Sequence, residues 1–230
     1  MLREIISIFR ADDPLASMAA NYTRMLELTR EMTLSAGRIG LDGNGAPADR
    51  TGIYDQDVQV NKLERTIRKQ VVAHLSVESN SPDLPYCLVL VGLVKDVERI
   101  GDYAKNLSEL AELHPGPLPQ DDVAAELQEI RSRVEEMFGA AIEVFHERDA
   151  EAAGDLIRGG RADAHRCNAL LGRVARGSHS AATTTVLVLA LRYYKRIGGH
   201  LLNVLSSMVM PLHKVDFFDE DARPVAPGGS

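Results

Sequence analysis

Apolar residues recur along the chain at three- and four-residue intervals, with no convincing alternation of strand type, so the pattern predicts helices. Asp12-Asp13-Pro14 reads as a helix start, with a carboxylate cap and a proline in the first turn. Leu15, Met18, Tyr22, Met25, Leu26, Thr29 and Met32 then keep one face until Gly37. The glycine-rich stretch Gly37–Gly52 is expected to be a loop. A second helix is expected from about Tyr54 to Val77, with Val60, Leu63, Ile67 and Val71 on one face. Ser79-Asn80-Ser81-Pro82-Asp83 breaks it and caps a third helix that runs to roughly Leu113.

His114-Pro115-Gly116-Pro117-Leu118-Pro119 divides the chain into two nearly equal parts. Beyond it, Val123, Leu127, Ile130, Val134, Met137, Phe138, Ala141 and Phe145 mark a fourth helix. A fifth runs from about Asp149 to Val174, weakened or kinked at Gly159-Gly160, and a sixth runs from a Ser180 cap to Pro211. The halves echo each other. Glu98-Arg99-Ile100-Gly101-Asp102-Tyr103-Ala104-Lys105-Asn106 aligns with Lys195-Arg196-Ile197-Gly198-Gly199-His200-Leu201-Leu202-Asn203, and Val60-Asn61-Lys62-Leu63 with Cys167-Asn168-Ala169-Leu170. The expected fold is all-α: two tandem, pseudo-repeated three-helix bundles at residues 1–114 and 123–213. A Pro/Gly-rich joint at 115–122 connects them, and a flexible acidic tail is expected at 214–230.

The composition narrows the function. With 230 residues, 45% hydrophobic and 26% charged, the chain is long enough to bury a core. A net charge of −7 argues against nucleic-acid binding, which needs a basic stripe. Cys87 and Cys167 have no paired spacing and read as reduced thiols, and neither Leu84–Val94 nor Ala181–Leu191 is long enough to span a bilayer. Met1–Phe9 lacks the apolar core of a signal peptide and reads as a short amphipathic turn, so a cytoplasmic location is expected.

The candidate chemistry is a set of carboxylates. Glu98 and Asp102 lie four residues apart on one face of the third helix, away from the stripe of Leu93, Val97, Ile100, Ala104, Leu107 and Ala111. Asp57 and Asn61 repeat that spacing on the second helix, with Glu64 further on. If the two helices are antiparallel neighbours, these groups meet on an outer surface, where an oxygen-only set suits a hard or borderline multivalent cation. Ordinary surface ion pairs (Glu64 with Arg68, Asp102 with Lys105, Glu98 with Lys95) account for the same residues, and spacing alone favours them.

Asp57-Val58-Gln59-Val60-Asn61-Lys62-Leu63-Glu64, followed by Val94-Lys95-Asp96-Val97-Glu98-Arg99-Ile100-Gly101-Asp102, resembles the signature of the PhoU family. The resemblance covers about Leu15 to Met210. It implies a non-enzymatic, cytoplasmic, often dimeric regulator of phosphate uptake and phosphate-starvation signalling, which contacts a phosphate ABC transporter and a sensor histidine kinase. Carried over by position, it also implies a metal ion (iron or zinc, with magnesium or manganese as further candidates) on Asp57, Asn61, Glu98 and Asp102, with Glu64 a weaker ligand. The second half departs from the pattern: Lys195, Gly199 and Ala164 stand at the acidic positions, so a second metal site is not expected. Lys195 is expected to supply a fixed positive charge there.

Two rival readings are compatible with the sequence. One is a metal-free helical scaffold or adaptor for another membrane transporter. The other is a di-metal oxidase, which needs two Glu-x-x-His pairs pointing into the core, whereas the chain has one, Glu143–His146. His200 is expected to be structural, His74 and His114 to be surface or helix-end residues, and Met208-Val209-Met210 to be core or interface. Ser178-His179-Ser180 carries no catalytic geometry by adjacency alone, and no phosphate-binding glycine loop is present.

Overall fold

The computed structural model describes residues 13–43, 47–114, 116–147, 149–211 and 214–215, without the side chains of 47–49 and 146. The amphipathic turn expected at Met1–Phe9 and the tail beyond 215 lie outside the described residues. Those described form helices and no strands. The long helices are α1 (Pro14–Leu41), α2 (Pro47–Leu75), α3 (Leu84–Ser108), α4 (Asp122–Glu147), α5 (Ala150–Arg176) and α6 (Ala181–Val209). A 3-10 segment, Glu78–Asp83, precedes α3, and a short helical turn, Leu110–Leu113, follows it.

Caps set most of the helix starts. The Asp13 carboxylate accepts from the Ala16 amide, Asp149 from Glu151 and Ala152, and the Ser180 hydroxyl oxygen from Thr183. Asp121 does the same for Val123 and Ala124 at the head of α4. The start of α3 differs from expectation, because Asp83 makes no side-chain cap bond. Its carboxylate instead lies 2.8 Å from His74 Nε2, and Asn80 donates to the His74 carbonyl. His74 is therefore a buried helix-end residue that pins the 3-10 segment to the end of α2.

The expected loop over Gly37–Gly52 is corrected at both ends. Helix α1 runs through Gly37 and Gly40 to Leu41, and α2 begins at Pro47, seven residues earlier than expected. The glycines serve packing. A Cβ at Gly40 would sit 2.1 Å from the Leu107 carbonyl oxygen, so only glycine lets α1 approach the end of α3 this closely. Gly43 provides the turn, with φ of 67°. The third helix is likewise shorter than expected, breaking after Ser108 before the turn that ends at Leu113. Helix α5 is unbroken at Gly159-Gly160, and Gly160 accommodates Leu202 and Met137, whose nearest atoms would lie 2.6 and 3.0 Å from a Cβ.

Helices α1, α2 and α3 pack together, as do α4, α5 and α6, and α3 lies on α6 while α1 lies on α4. Buried side chains of both halves form one continuous core, including Tyr22, Met25, Ile67, Val97 and Ile100 from the first and Phe138, Leu170, Leu187, Tyr194 and Ile197 from the second. Each large side chain fully buried this way contributes roughly 1.5–3 kcal/mol of transfer free energy. No described helix is long and apolar enough to cross a membrane. Both cysteines are free and buried.

Polar contacts fix how the halves cross. Asp96 of α3, 8% exposed, meets His200 Nδ1 at 2.7 Å and accepts from Asn203 at 2.8 Å. Tyr103 and Tyr193 lie 6.1 Å apart, and Tyr103 stacks on His200 at 5.8 Å. In the alignment that pairs Glu98 with Lys195, Asp96 corresponds to Tyr193 and Tyr103 to His200. The Asp96–His200 and Tyr193–Tyr103 contacts are thus related by an approximate two-fold between the repeats, and His200 has the structural role expected of it. At the α1–α4 crossing, Arg131 binds Asp42 at 2.7 Å and Glu135 at 2.9 Å. Burial works against the Arg131 charge, yet Tyr194, Asp42 and Glu135 hold its pKa above the ordinary value.

Candidate functional site

Three polar contacts join α2 to the end of α3 and the turn that follows it, and show the helices to be antiparallel. Arg50 pairs with Glu112 at 2.5 Å, the Tyr54 hydroxyl donates to Glu109 at 2.6 Å, and Lys105 reaches Asp57 at 2.9 Å. Because residue number rises on one helix as it falls on the other, the next turn along brings Glu64 close enough to Glu98 to act on its charge. The sequence spacing thus brings its two acidic elements together.

The geometry differs from an open outer face. Asp57 is 7% exposed and lies in the seam, beside Gly101, whose absent Cβ would sit 3.7 Å from Asp57 Oδ1. The Asn61 amide donates to Asp57 Oδ2 at 3.1 Å, and the Lys105 ammonium donates to the same oxygen. Asp57 Oδ1 is buried and accepts from no protein group. Lys105 also lies 3.0 Å from Asp102 Oδ1, so one ammonium bridges carboxylates from both helices. Burial disfavours its charge, but the hydrogen bonds to Asp57 and Asp102 outweigh that and raise its pKa.

Glu98 is in the opposite position. Burial, then the negative charges of Asp102 and Glu64, push its carboxyl pKa up, against a weaker pull from Arg99, 3.8 Å away. Like charges are here held together with too little cation between them. The ion-pair reading is right for two of its three pairs: Arg68 binds Glu64 at 2.6 Å and Lys105 binds Asp102. Arg99, not Lys95, is the partner that Glu98 has, and Arg99 also reaches Asp102 at 3.3 Å.

The donor chemistry suits a hard or borderline divalent cation: an orphaned buried carboxylate oxygen, an electron-rich Glu98, and Asp102 beside it. As folded, no three acidic, histidine or cysteine side chains among the described residues stand as a ready metal cage. Lys105 is the physical reason, since its ammonium sits between Asp57 and Asp102. Sequence reasoning placed Lys105 only as a local partner of Asp102. The three-residue spacing shows that contact, but its reach to Asp57 across the seam is a tertiary fact.

In the second half, the corresponding Lys195 donates to Asn168 Oδ1 at 2.9 Å, so it turns toward the repeat of the Asn61 position. Glu143 is exposed, which removes the lone Glu-x-x-His element from the core that a di-metal oxidase would need. The side chain of His146 lies outside the description. His179 is bonded to Asp121 at 2.8 Å, which with Ser180 makes the Ser-His-Ser run part of helix capping.

Three comparisons with known proteins bear on this arrangement. An uncharacterized protein of Deinococcus radiodurans is 26% identical over 200 residues, covering 82% of this chain and 70% of that one. The crystal structure of PhoU from Pseudomonas aeruginosa superposes with a TM-score of 0.75 at 22% identity, over 87% of this chain and 97% of the other, so the folds are alike. The PhoU domain model matches residues 15–111, the span of α1, α2 and α3 with both acidic elements. The first three helices thus match the PhoU domain, and the chain as a whole is similar in fold to PhoU.

Proposed function

We propose that this protein is a non-enzymatic regulator of inorganic phosphate uptake and phosphate-starvation signalling. It works in the cytoplasm as a homodimer and contacts a phosphate ABC transporter and its sensor histidine kinase. The observation that carries this reading is the PhoU domain at residues 15–111, with its two acidic elements gathered on the α2–α3 seam. Affinity capture from cells shifted between phosphate-rich and phosphate-poor medium tests it. Transporter components or a sensor kinase should be recovered in a phosphate-dependent way, and recovery of neither under both conditions refutes it.

In this reading the seam holds a divalent or ferric ion, iron or zinc, on Asp57, Asn61, Glu98 and Asp102. The metal would supply positive charge to like-charged carboxylates, and the chain's part is to hold those oxygens together and to withdraw Lys105. A metal-free scaffold is the second reading, favoured by the ammonium already bridging Asp57 and Asp102. Elemental analysis of protein purified without chelator, beside the Glu98→Ala and Asp102→Ala double variant, separates the two. Metal lost in the double variant supports the metal site, and equal content in both proteins supports the scaffold.

A further inference from the structure

The second half carries the inverse of the acidic seam. A cleft of about 490 Å³ lies between α5 and α6, and Arg161, Arg192, Lys195 and Arg196 line it. Asp163 is the acidic residue on its wall, and that carboxylate is bonded to Arg133 at 2.5 Å. Four cationic side chains therefore line a space whose single carboxylate is already neutralised, in a chain whose net charge is −7. A cluster of this sign on an acidic protein concentrates anions locally, because the partly enclosed walls weaken screening.

The cleft occupies the place that the metal elements hold in the first repeat. Lys195 stands where Glu98 does, Gly199 where Asp102 does, and Ala164 where Asp57 does. Each substitution removes a negative charge, and one adds a positive charge. A Cβ at Gly199 would meet nothing within 4 Å, so the loss of the carboxylate leaves open room above α6. The Lys195 ammonium is oriented by Asn168. Its charge also acts on the neighbouring thiol: burial pushes Cys167 up to about 11, and Lys195 pulls against that rise.

We propose that the α5–α6 cleft is a binding site for a small polyanion bearing phosphate groups. Arginine guanidinium forks match phosphate oxygens in pairs, and an oriented lysine adds a point charge. The volume is within the range of small-molecule sites and exceeds what a single phosphate fills, so a diphosphate or a phosphate ester suits it. This site is separate from the α2–α3 seam and does not depend on metal there.

Calorimetric titration of the full chain with pyrophosphate tests the proposal. One saturable site per chain is expected, weakening as salt is raised. The double variant Arg192→Gln with Lys195→Gln should bind at least tenfold more weakly while its circular dichroism and melting curve stay unchanged. Inorganic phosphate and a nucleoside diphosphate, titrated in parallel, identify the source of the phosphate groups. Tighter nucleotide binding assigns the site to phosphate esters and tighter pyrophosphate binding to inorganic anions, and both support the proposal. No saturable binding by the wild-type chain, or undiminished binding by the folded double variant, overturns it.

Discussion

Replacing Lys105 with methionine keeps its length and apolar stem but removes the ammonium that joins α2 to α3. Two contacts are lost, at 2.9 Å to Asp57 and 3.0 Å to Asp102. Breaking a fully buried pair costs about 3–5 kcal/mol, whereas an exposed pair is worth about 0–1 kcal/mol. The side chains here are intermediate, with 20% of Lys105, 11% of Asp57 and 30% of Asp102 accessible. Lys105→Met should therefore lower the unfolding free energy by about 2 kcal/mol. Adding Asp57→Asn should return more than half of that, because the buried charge left unpaired is then gone. Urea unfolding followed by far-ultraviolet circular dichroism, in the presence of chelator, reads both values. A divalent metal should then stabilise Lys105→Met more than the wild type, since no ammonium competes for the carboxylates. Metal at a hundredfold above its dissociation constant adds about 2.7 kcal/mol. An unchanged urea midpoint for Lys105→Met refutes the bridging role, and equal metal stabilisation of both proteins refutes the exchange of lysine for metal.

Four further outcomes follow from the geometry. Gly40→Ala places a methyl group 2.1 Å from the Leu107 carbonyl oxygen. Its overpacking cost, about 1–3 kcal/mol, should exceed the gain of about 1 kcal/mol in helix propensity. Gly159→Ala meets nothing within 4 Å and should instead raise the urea midpoint. Glu98 has a folded pKa above its ordinary 4.5, so its ionised form weakens the fold. That penalty is complete above the raised value and disappears below the ordinary one, so Glu98→Gln should stabilise the protein at pH 7 but not below pH 4.5. Thermal melts across that range would show the two curves meeting, and parallel curves contradict the assignment. Asp121 has the opposite sign: amide bonds from Ala124 and then the His179 contact hold its pKa below the ordinary 3.8. Its support is present above that value and is lost as pH falls through the lowered one, and Asp121→Ala should cost about 1 kcal/mol at neutral pH in a denaturant titration.

Much of the fold was legible because its information is local. The helix periodicity, the Asp13, Asp149 and Ser180 caps, and the repeated Arg-Ile-Gly string each lie within a few residues. The errors came where one residue type serves two ends. Gly37 and Gly40 read as loop glycines, but they exist to bring α1 against Tyr194 and Leu107, contacts far away in the chain. Asp57 read as a surface group because its spacing places it with the outer-face Glu98 and Asp102, yet it lies four residues from Ile53 and three from Val60, and the seam with α3 buries it. The convergence of Asp57 with Asp102 was readable from matched spacing on consecutive helices. The lysine lodged between them, and the arginines of α5 and α6 facing one cleft, were not, since neither forms a pattern until the helices are side by side.

The crossing of α3 over α6 has a consequence for how this molecule can be divided. Asp96 is gripped by two side chains from the other repeat, and the surrounding residues belong to a core with no internal border. Cleaving the chain at its proline-rich midpoint would leave a fragment with a raw apolar flank and a stranded carboxylate. The halves echo each other in sequence, but each is the other's missing wall.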